Sequence, residues 1–293
     1  LMAATTGCNR GLQETEIPTI MISPQISLTA TQTQPAPIST PIPQPQALVV
    51  NGEGVPLAEY EAQLIQVQAS DEELGVERTA DDQMQLALAE LVDQTLLAQS
   101  AVQAGFELSE AELEARIDKL IQEKGDSAAF DSWLVKNGYT ELSFHSALMR
   151  SIQAAWQRDQ ILALVSEHAE QVRARQVLVR TRETAEQVQA NLAAGADFST
   201  IAFQYDPLTG GDLGWFPRDF LTQPAVEQAA FNLQPGEISD IIQTDFGFHI
   251  IQVVEREAQH PLSPDALLML QQKALDDWLA DQRAAAEVEI LIH

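Results

Sequence analysis

Three stretches hold the residues whose types and spacing could do chemistry. Gly210-Gly211-Asp212-Leu213-Gly214-Trp215-Phe216-Pro217 puts a tight glycine backbone ahead of large apolar residues. It is not a nucleotide loop, because no Lys-Ser/Thr pair follows and the glycine spacing is wrong. Phe246-Gly247-Phe248-His249-Ile250-Ile251 sets one histidine in an apolar strand, where a lone histidine ordinarily only packs. Arg175-Gln176-Val177-Leu178-Val179 reads as another strand, and Gln176 can donate and accept hydrogen bonds but cannot carry a proton or charge near neutrality. Between the two lies Asp206, next to Pro207 and in position to cap a turn. The one cysteine, Cys8, leaves neither a disulfide framework nor a cysteine metal site possible within the chain.

These stretches sit in residues 173 to 256, whose pattern reads strand, helix, helix, short strand, helix, strand, strand. The helices are expected from Glu183 to Ala194, Phe198 to Tyr205 and Pro224 to Phe231, with Leu233-Gln234-Pro235-Gly236-Glu237-Ile238-Ser239 turning into a strand. The flanking pattern is helical. Order is expected to begin at Ala47, with a short strand through Val50 that ends in the Asn51-Gly52 turn. Apolar spacing then predicts helices over 56–69, 80–104, from the Ser109 to Glu112 capping box onward, 127–137 and 140–168. Ser263-Pro264 starts a further helix bearing Leu267, Leu270, Leu275, Trp278 and Leu279, followed by Glu287 to Ile292, which alternates like a strand. A lone terminal strand needs a partner, and Leu48 to Asn51 is the unpaired candidate. The expected class is α+β, with a central domain of a four-stranded sheet and helices inserted in a mostly helical domain.

At 293 residues the chain exceeds one usual domain, and 45% hydrophobic content is ample for two cores and a tail. A net charge of −27, from 43 acidic against 16 basic residues, opposes binding to nucleic acid or anionic lipid surfaces. Residues 9 to 46 are Thr, Gln, Pro and Ile with hardly any charge, including Pro35, Pro37, Pro41, Pro43 and Pro45. Such a segment is expected to be a disordered stalk, reaching on the order of 100 Å when extended at about 3.1 Å per residue. No later segment has the roughly 18 uninterrupted apolar residues of a membrane-spanning helix.

Gly-Gly-Asp-Leu-Gly-Trp-Phe, Ala-Ala-Phe-x-Leu-x-Pro-Gly-Glu-Ile-Ser and Phe-Gly-Phe-His-Ile-Ile, in this order and spacing, resemble the parvulin-type peptidyl-prolyl isomerases across residues 173–256. The resemblance implies rotation about X-Pro bonds, which needs no nucleophile, metal or cofactor. It needs an apolar slot for the proline ring and polar groups that favour the twisted amide. By matching motifs, the slot is expected from Leu213, Leu221, Val226 and Phe231, and the polar floor from His249, Asp206 and Gln176. Many relatives carry histidine where this chain has Gln176. If that histidine mainly supports a hydrogen-bond network, its loss costs about 1 to 3 kcal/mol, or roughly 10 to 100-fold in rate. Arg180, Arg182 and Arg218 are scattered, which argues against selection of a phosphorylated residue before proline.

The Val-Asn-Gly start, the helices after it and the C-terminal return resemble the chaperone region of the SurA and PrsA foldases. Leu1 to Cys8 resembles the end of a bacterial lipoprotein signal in which Cys8 is diacylated, although Thr5 stands where leucine is usual. The expected organisation is a signal remnant over 1–8, a stalk over 9–46, a helical chaperone domain over 47–172, the isomerase domain over 173–256 and a returning helix and strand over 257–293. The implied partners are unfolded exported polypeptides with X-Pro bonds, and the implied location is outside the cytoplasm on a lipid anchor. Two readings stay open: an isomerase with a client-holding helical domain, or a chaperone whose parvulin domain is a weakly catalytic peptide-binding module.

Overall fold

The computed structural model describes residues 44–292, so Cys8 and residues 9–43 of the expected stalk lie outside the described residues, while Gln46, the last residue of that stalk, is the first of β1. β1 (Gln46–Val50) and β2 (Glu53–Pro56) form a hairpin. β2 was not expected, since Gly54 and Pro56 are poor strand formers. The hairpin closes because Asn51 and Gly52 both adopt positive φ, 52° and 83°, which matches the twist of the strands they join. Leu48, Val50 and Val55 are fully buried against α1 (Leu57–Leu74) and α2 (Ala80–Gln103). Each such side chain contributes roughly 1.5 to 3 kcal/mol by leaving water.

α3 (Glu110–Lys124) opens on the expected capping box. Ser109 Oγ accepts the Glu112 N–H at 3.3 Å, and the Glu112 carboxylate accepts the Ser109 N–H at 2.9 Å. α4 (Ser127–Lys136) and α5 (Glu141–Ala163) follow, joined through packing of Phe130, Leu134 and Phe144. α5 ends at Ala163 rather than near residue 168. Ser166 Oγ bonds the N–H and C=O of His168, satisfying backbone groups locally in place of a continuing helix.

β3 (His168–Val179) therefore begins well before the expected Arg175. α6 (Arg182–Ala193), α7 (Phe198–Tyr205), β4 (Asp212–Pro217), α8 (Pro224–Asn232), β5 (Ile242–Thr244) and β6 (Gly247–Pro261) complete the central domain. Its four strands are antiparallel in the order β4-β3-β6-β5. The stretch after Leu233 is irregular through Ser239, apart from a bridge between Ile238 and Gln252, and the strand forms at Ile242 instead. The two-residue period of the strands sorts the core. Val172, Ala174, Ile251 and Val253 face α8, whereas Val177, Val179 and Ile250 face α6 and α7.

α9 (Pro264–Ala285) starts at its serine cap, Ser263 Oγ accepting the Ala266 N–H at 3.2 Å. Leu279 then packs with Leu97 of α2 and with Ala154 and Ile161 of α5, and Arg283 pairs with Asp93 of α2. β7 (Val288–Ile290) lies antiparallel to β1, with Leu48 opposite Ile290 and Val50 opposite Val288. The two ends of the helical domain thus meet in one three-stranded sheet, and the central domain is an insertion between them. Among the described residues, no helix is long and apolar enough to cross a membrane.

Candidate active site

The register of β3 on β6 sets Gln176 opposite Ile251 and Leu178 opposite His249. Gln176 and His249 therefore project from the same face of the sheet, the face that α8 covers. His249 is 3% exposed. Its Nδ1 lies 2.9 Å from Gln176 Oε1 and its Nε2 lies 2.8 Å from Thr244 Oγ1. With the amide oxygen as partner, Nδ1 carries the proton and donates, and Nε2 accepts from the Thr244 hydroxyl. The Thr244 oxygen in turn accepts the Phe246 N–H at 3.1 Å. Burial pushes the imidazole pKa below its ordinary 6.5, so the ring is neutral near neutrality, as this donor sequence requires.

Thr244 has no signal in the sequence beyond its place before the Asp245-Phe246 turn. Only the pairing of β5 on β6, with Ile242 opposite His249 and Thr244 opposite Gly247, carries its hydroxyl to the imidazole.

The glycine turn is tied to the same strand. Gln176 donates its backbone N–H to Gly211 O at 2.8 Å. Gly211 has φ of +67°, and a Cβ there would stand 1.9 Å from the Gln176 carbonyl oxygen, so no other residue fits without moving backbone. Asp206 closes this turn. Its Oδ1 accepts from the amides of Leu208 and Thr209 at 3.1 and 3.2 Å, and its Oδ2 accepts the Gly211 N–H at 3.3 Å and the Thr209 hydroxyl. The Thr209 hydroxyl, followed by these amides, holds the Asp206 carboxyl below the usual range. Gln176 and His249 are in direct contact, while Asp206 connects to them through the backbone of Gly211. Of its two expected roles, Asp206 has the geometry of a turn cap.

Leu213, Leu221, Val226 and Phe231 pack into one apolar group on the α8 face together with Phe216. Val226 and Phe231 are buried, Leu213 and Leu221 are half-buried, and Phe216 meets Phe231 edge-on at 6.1 Å. The loop that presents Leu221 hangs on Glu227 of α8, whose carboxylate accepts the N–H groups of Asp219, Phe220 and Leu221 at 2.7, 2.9 and 2.9 Å. Glu227 was missed as well, because an acidic residue early in a helix is commonplace. Two of the three arginines noted above lie over aromatic rings: Arg218 over Phe231 at 4.1 Å and Arg182 over Phe248 at 5.3 Å.

Among the described residues, one set of side chains has metal-ligand spacing, Glu110, Glu114 and His145. It belongs to α3 and α5, where His145 Nε2 lies 3.1 and 3.2 Å from the two carboxylates, also the distances of ordinary hydrogen bonds.

A neutral histidine held at both nitrogens beside an apolar group suits reactions driven by binding and desolvation. Residues 161–255 match the family model of the PPIC-type PPIase domain, and residues 32–157 match that of the SurA-like N-terminal domain. A foldase protein PrsA from Geobacillus sp. (strain WCH70) is 33% identical over 151 residues, 50% of this chain and 52% of that protein. The chain therefore spans about half the length of that relative. A chaperone SurA from Methylobacillus flagellatus is 36% identical over 141 residues, 41% of this chain and 32% of that protein. A foldase protein PrsA from Caldanaerobacter subterraneus subsp. tengcongensis is 31% identical over 230 residues, 70% of this chain and 71% of that protein. With both domain types in order and that extent of shared sequence, the chain belongs to the PrsA foldase family.

Proposed function

We propose that the chain is a peptidyl-prolyl cis-trans isomerase and folding factor for unfolded exported polypeptides. The observation that carries this reading is the hydrogen-bonded series Gln176, His249, Thr244 on the sheet face shared with Leu213, Leu221, Val226 and Phe231. Rotation about an X-Pro amide breaks no bond but sacrifices resonance, at a barrier of about 18 to 20 kcal/mol. An apolar slot that seats the proline ring removes water from the amide and disfavours its planar, charge-separated form relative to the twisted one.

In this reading the slot residues touch the substrate, and His249 positions the floor beneath it. Both ring nitrogens are engaged by protein groups, so the imidazole acts by tying β3, β5 and β6 together. Gln176 makes the bond on Nδ1 without titrating, and Asp206 and Glu227 hold the two loops that frame the slot. The helical domain, 47–167 and 262–292, holds the client while the central domain, 168–261, acts on it.

An NMR exchange or protease-coupled assay on an Ala-Pro peptide tests the reading. Acceleration that His249→Ala lowers supports it, and no acceleration at micromolar protein sinks it. The second reading, a peptide-binding module with little turnover, is favoured by Gln176 and predicts peptide binding without acceleration.

The family names and the Gly7-Cys8 pair further support a location outside the cytoplasm, with Cys8 carrying a lipid anchor. Mass spectrometry of the full-length protein expressed in a bacterial host checks this. An unmodified Cys8 rules the anchor out.

A further inference from the structure

The helical domain buries an ion pair that its packing leaves short of partners. Glu59 of α1 is 2% exposed and pairs through Oε2 with Arg150 of α5, itself 6% exposed. Arg150 also reaches Glu53 of β2 at 3.4 Å, so one guanidinium serves two carboxylates, of which the Glu53 one is half exposed to water. The other Glu59 oxygen, Oε1, is buried and accepts no hydrogen bond from the protein, and Arg150 Nε beside it likewise has no partner. A buried carboxylate oxygen without a donor is costly, and structures retain such groups where something else supplies the donor.

Glu59 lines a cavity of about 160 Å³ between α1, α2 and α5. Leu91, Phe144 and Leu148 make its apolar wall, and Gln63, Gln66, Gln94, Tyr139 and Ser151 its polar side. The polar side offers both acceptors and donors. Ser151 spends its hydrogen on Leu148 O at 2.8 Å, and Gln63 and Gln66 donate amide hydrogens to Glu90 and to the Tyr139 oxygen, leaving their own carbonyl oxygens as acceptors, while the Tyr139 hydroxyl hydrogen stays free. At roughly 30 Å³ per water-sized atom, the space holds about five non-hydrogen atoms. That is the number from Cβ to Nζ of a lysine, whose methylenes suit an apolar wall and whose ammonium supplies three donors and one positive charge.

We propose that this cavity is a binding site for an aliphatic primary ammonium, the side chain of a lysine in a client polypeptide. It extends the reading of the helical domain as the client-holding part, and gives an acidic protein a residue-level preference for basic segments. A divalent metal ion is a poorer fit, because one carboxylate oxygen amid neutral groups falls short of the charged oxygen set such ions require.

The test titrates the full chain with n-butylammonium and, separately, with 1-butanol, following amide shifts of residues around the cavity by NMR. Saturable shifts for butylammonium at least tenfold tighter than for 1-butanol are expected, and a lysine-containing peptide should displace the amine where its norleucine counterpart does not. Glu59→Gln should weaken amine binding at least tenfold. Because that change also strips Arg150 of a partner and can unfold the domain, Ser151→Leu, which fills the space and leaves the ion pair intact, should abolish binding in a folded protein. Equal response to 1-butanol, no saturation, no displacement by the lysine peptide, or undiminished binding in folded Ser151→Leu would overturn the proposal. The Ala-Pro isomerisation rate should stay unchanged in Ser151→Leu, so failure here is distinguishable from failure of the isomerase reading.

Discussion

Replacing Thr244 with valine removes one hydroxyl and almost nothing of the shape. The hydroxyl is the donor to His249 Nε2 at 2.8 Å, and His249 is 3% exposed, so the nitrogen is left as a buried acceptor with no nearby substitute. Stranding such an acceptor costs about 1 to 3 kcal/mol. The second bond of Thr244, from the Phe246 N–H, is on an exposed residue where water replaces it, so it adds little. The added methyl recovers part of the loss, because Thr244 is half-buried, leaving a net destabilisation of about 1 to 2 kcal/mol. If the series Gln176, His249, Thr244 supports the slot during rotation, a loss of that size in the transition state lowers kcat/KM by roughly 5 to 30-fold. The assays are urea unfolding for stability and NMR exchange on an Ala-Pro peptide for rate. A cycle with His249→Ala isolates the coupling, since valine at 244 should cost almost nothing further once the imidazole is gone. A folded Thr244→Val protein whose rate stays within about twofold of the original, or equal losses with and without His249, would refute the reasoning.

Gly211→Ala should be the harshest single change in the glycine turn, because a Cβ there meets the Gln176 carbonyl at 1.9 Å and φ is +67°. Left-handed strain together with backbone displacement predicts a loss of about 2 to 4 kcal/mol in denaturant unfolding, with a fall in isomerisation even where the protein stays folded. The His249 pKa is depressed by burial, so the folded protein prefers the neutral ring. The stability this contributes is complete above the ordinary histidine value of 6.5 and is lost as pH falls through the lower folded value. Unfolding free energy measured from pH 7 downward should therefore decline more steeply in the original protein than in His249→Gln. Gln176→His should keep a bond to His249 Nδ1 and raise the isomerisation rate by up to roughly 10 to 100-fold, read in the same exchange assay. An unchanged or lower rate would mean that glutamine already meets the network's requirement.

What could be read from the chain alone was whatever residues a few positions apart decide. The capping box at Ser109 and Glu112, the serine cap at Ser263 and the three linked motifs of the central domain are of this kind. The pairing of the terminal strand with Leu48 to Val50 was also foreseeable, because an alternating strand with no neighbour in sequence must find one elsewhere. His249 and Gln176 were visible as hydrogen-bonding side chains on strands, but not as partners at 2.9 Å. Their contact depends on the register of β3 on β6, and every residue of both strands contributes to that register. The same holds for Thr244, which a three-residue edge strand delivers to the imidazole, and for Glu227, whose carboxylate reaches the loop that carries Leu221. β2 and the early start of β3 escaped notice because Gly54, Pro56, Glu170 and Gln171 have little strand preference of their own. Pairing with a neighbour overrides that weak preference, and Gln171 is buried only because its amide finds the carbonyls of His260 and Pro261 at 2.9 and 3.0 Å across the sheet. Local sequence set the elements and the residue types available to the site. Tertiary structure chose which of them touch, because a hydrogen bond across strands is specified by register and burial and by nothing within either strand alone.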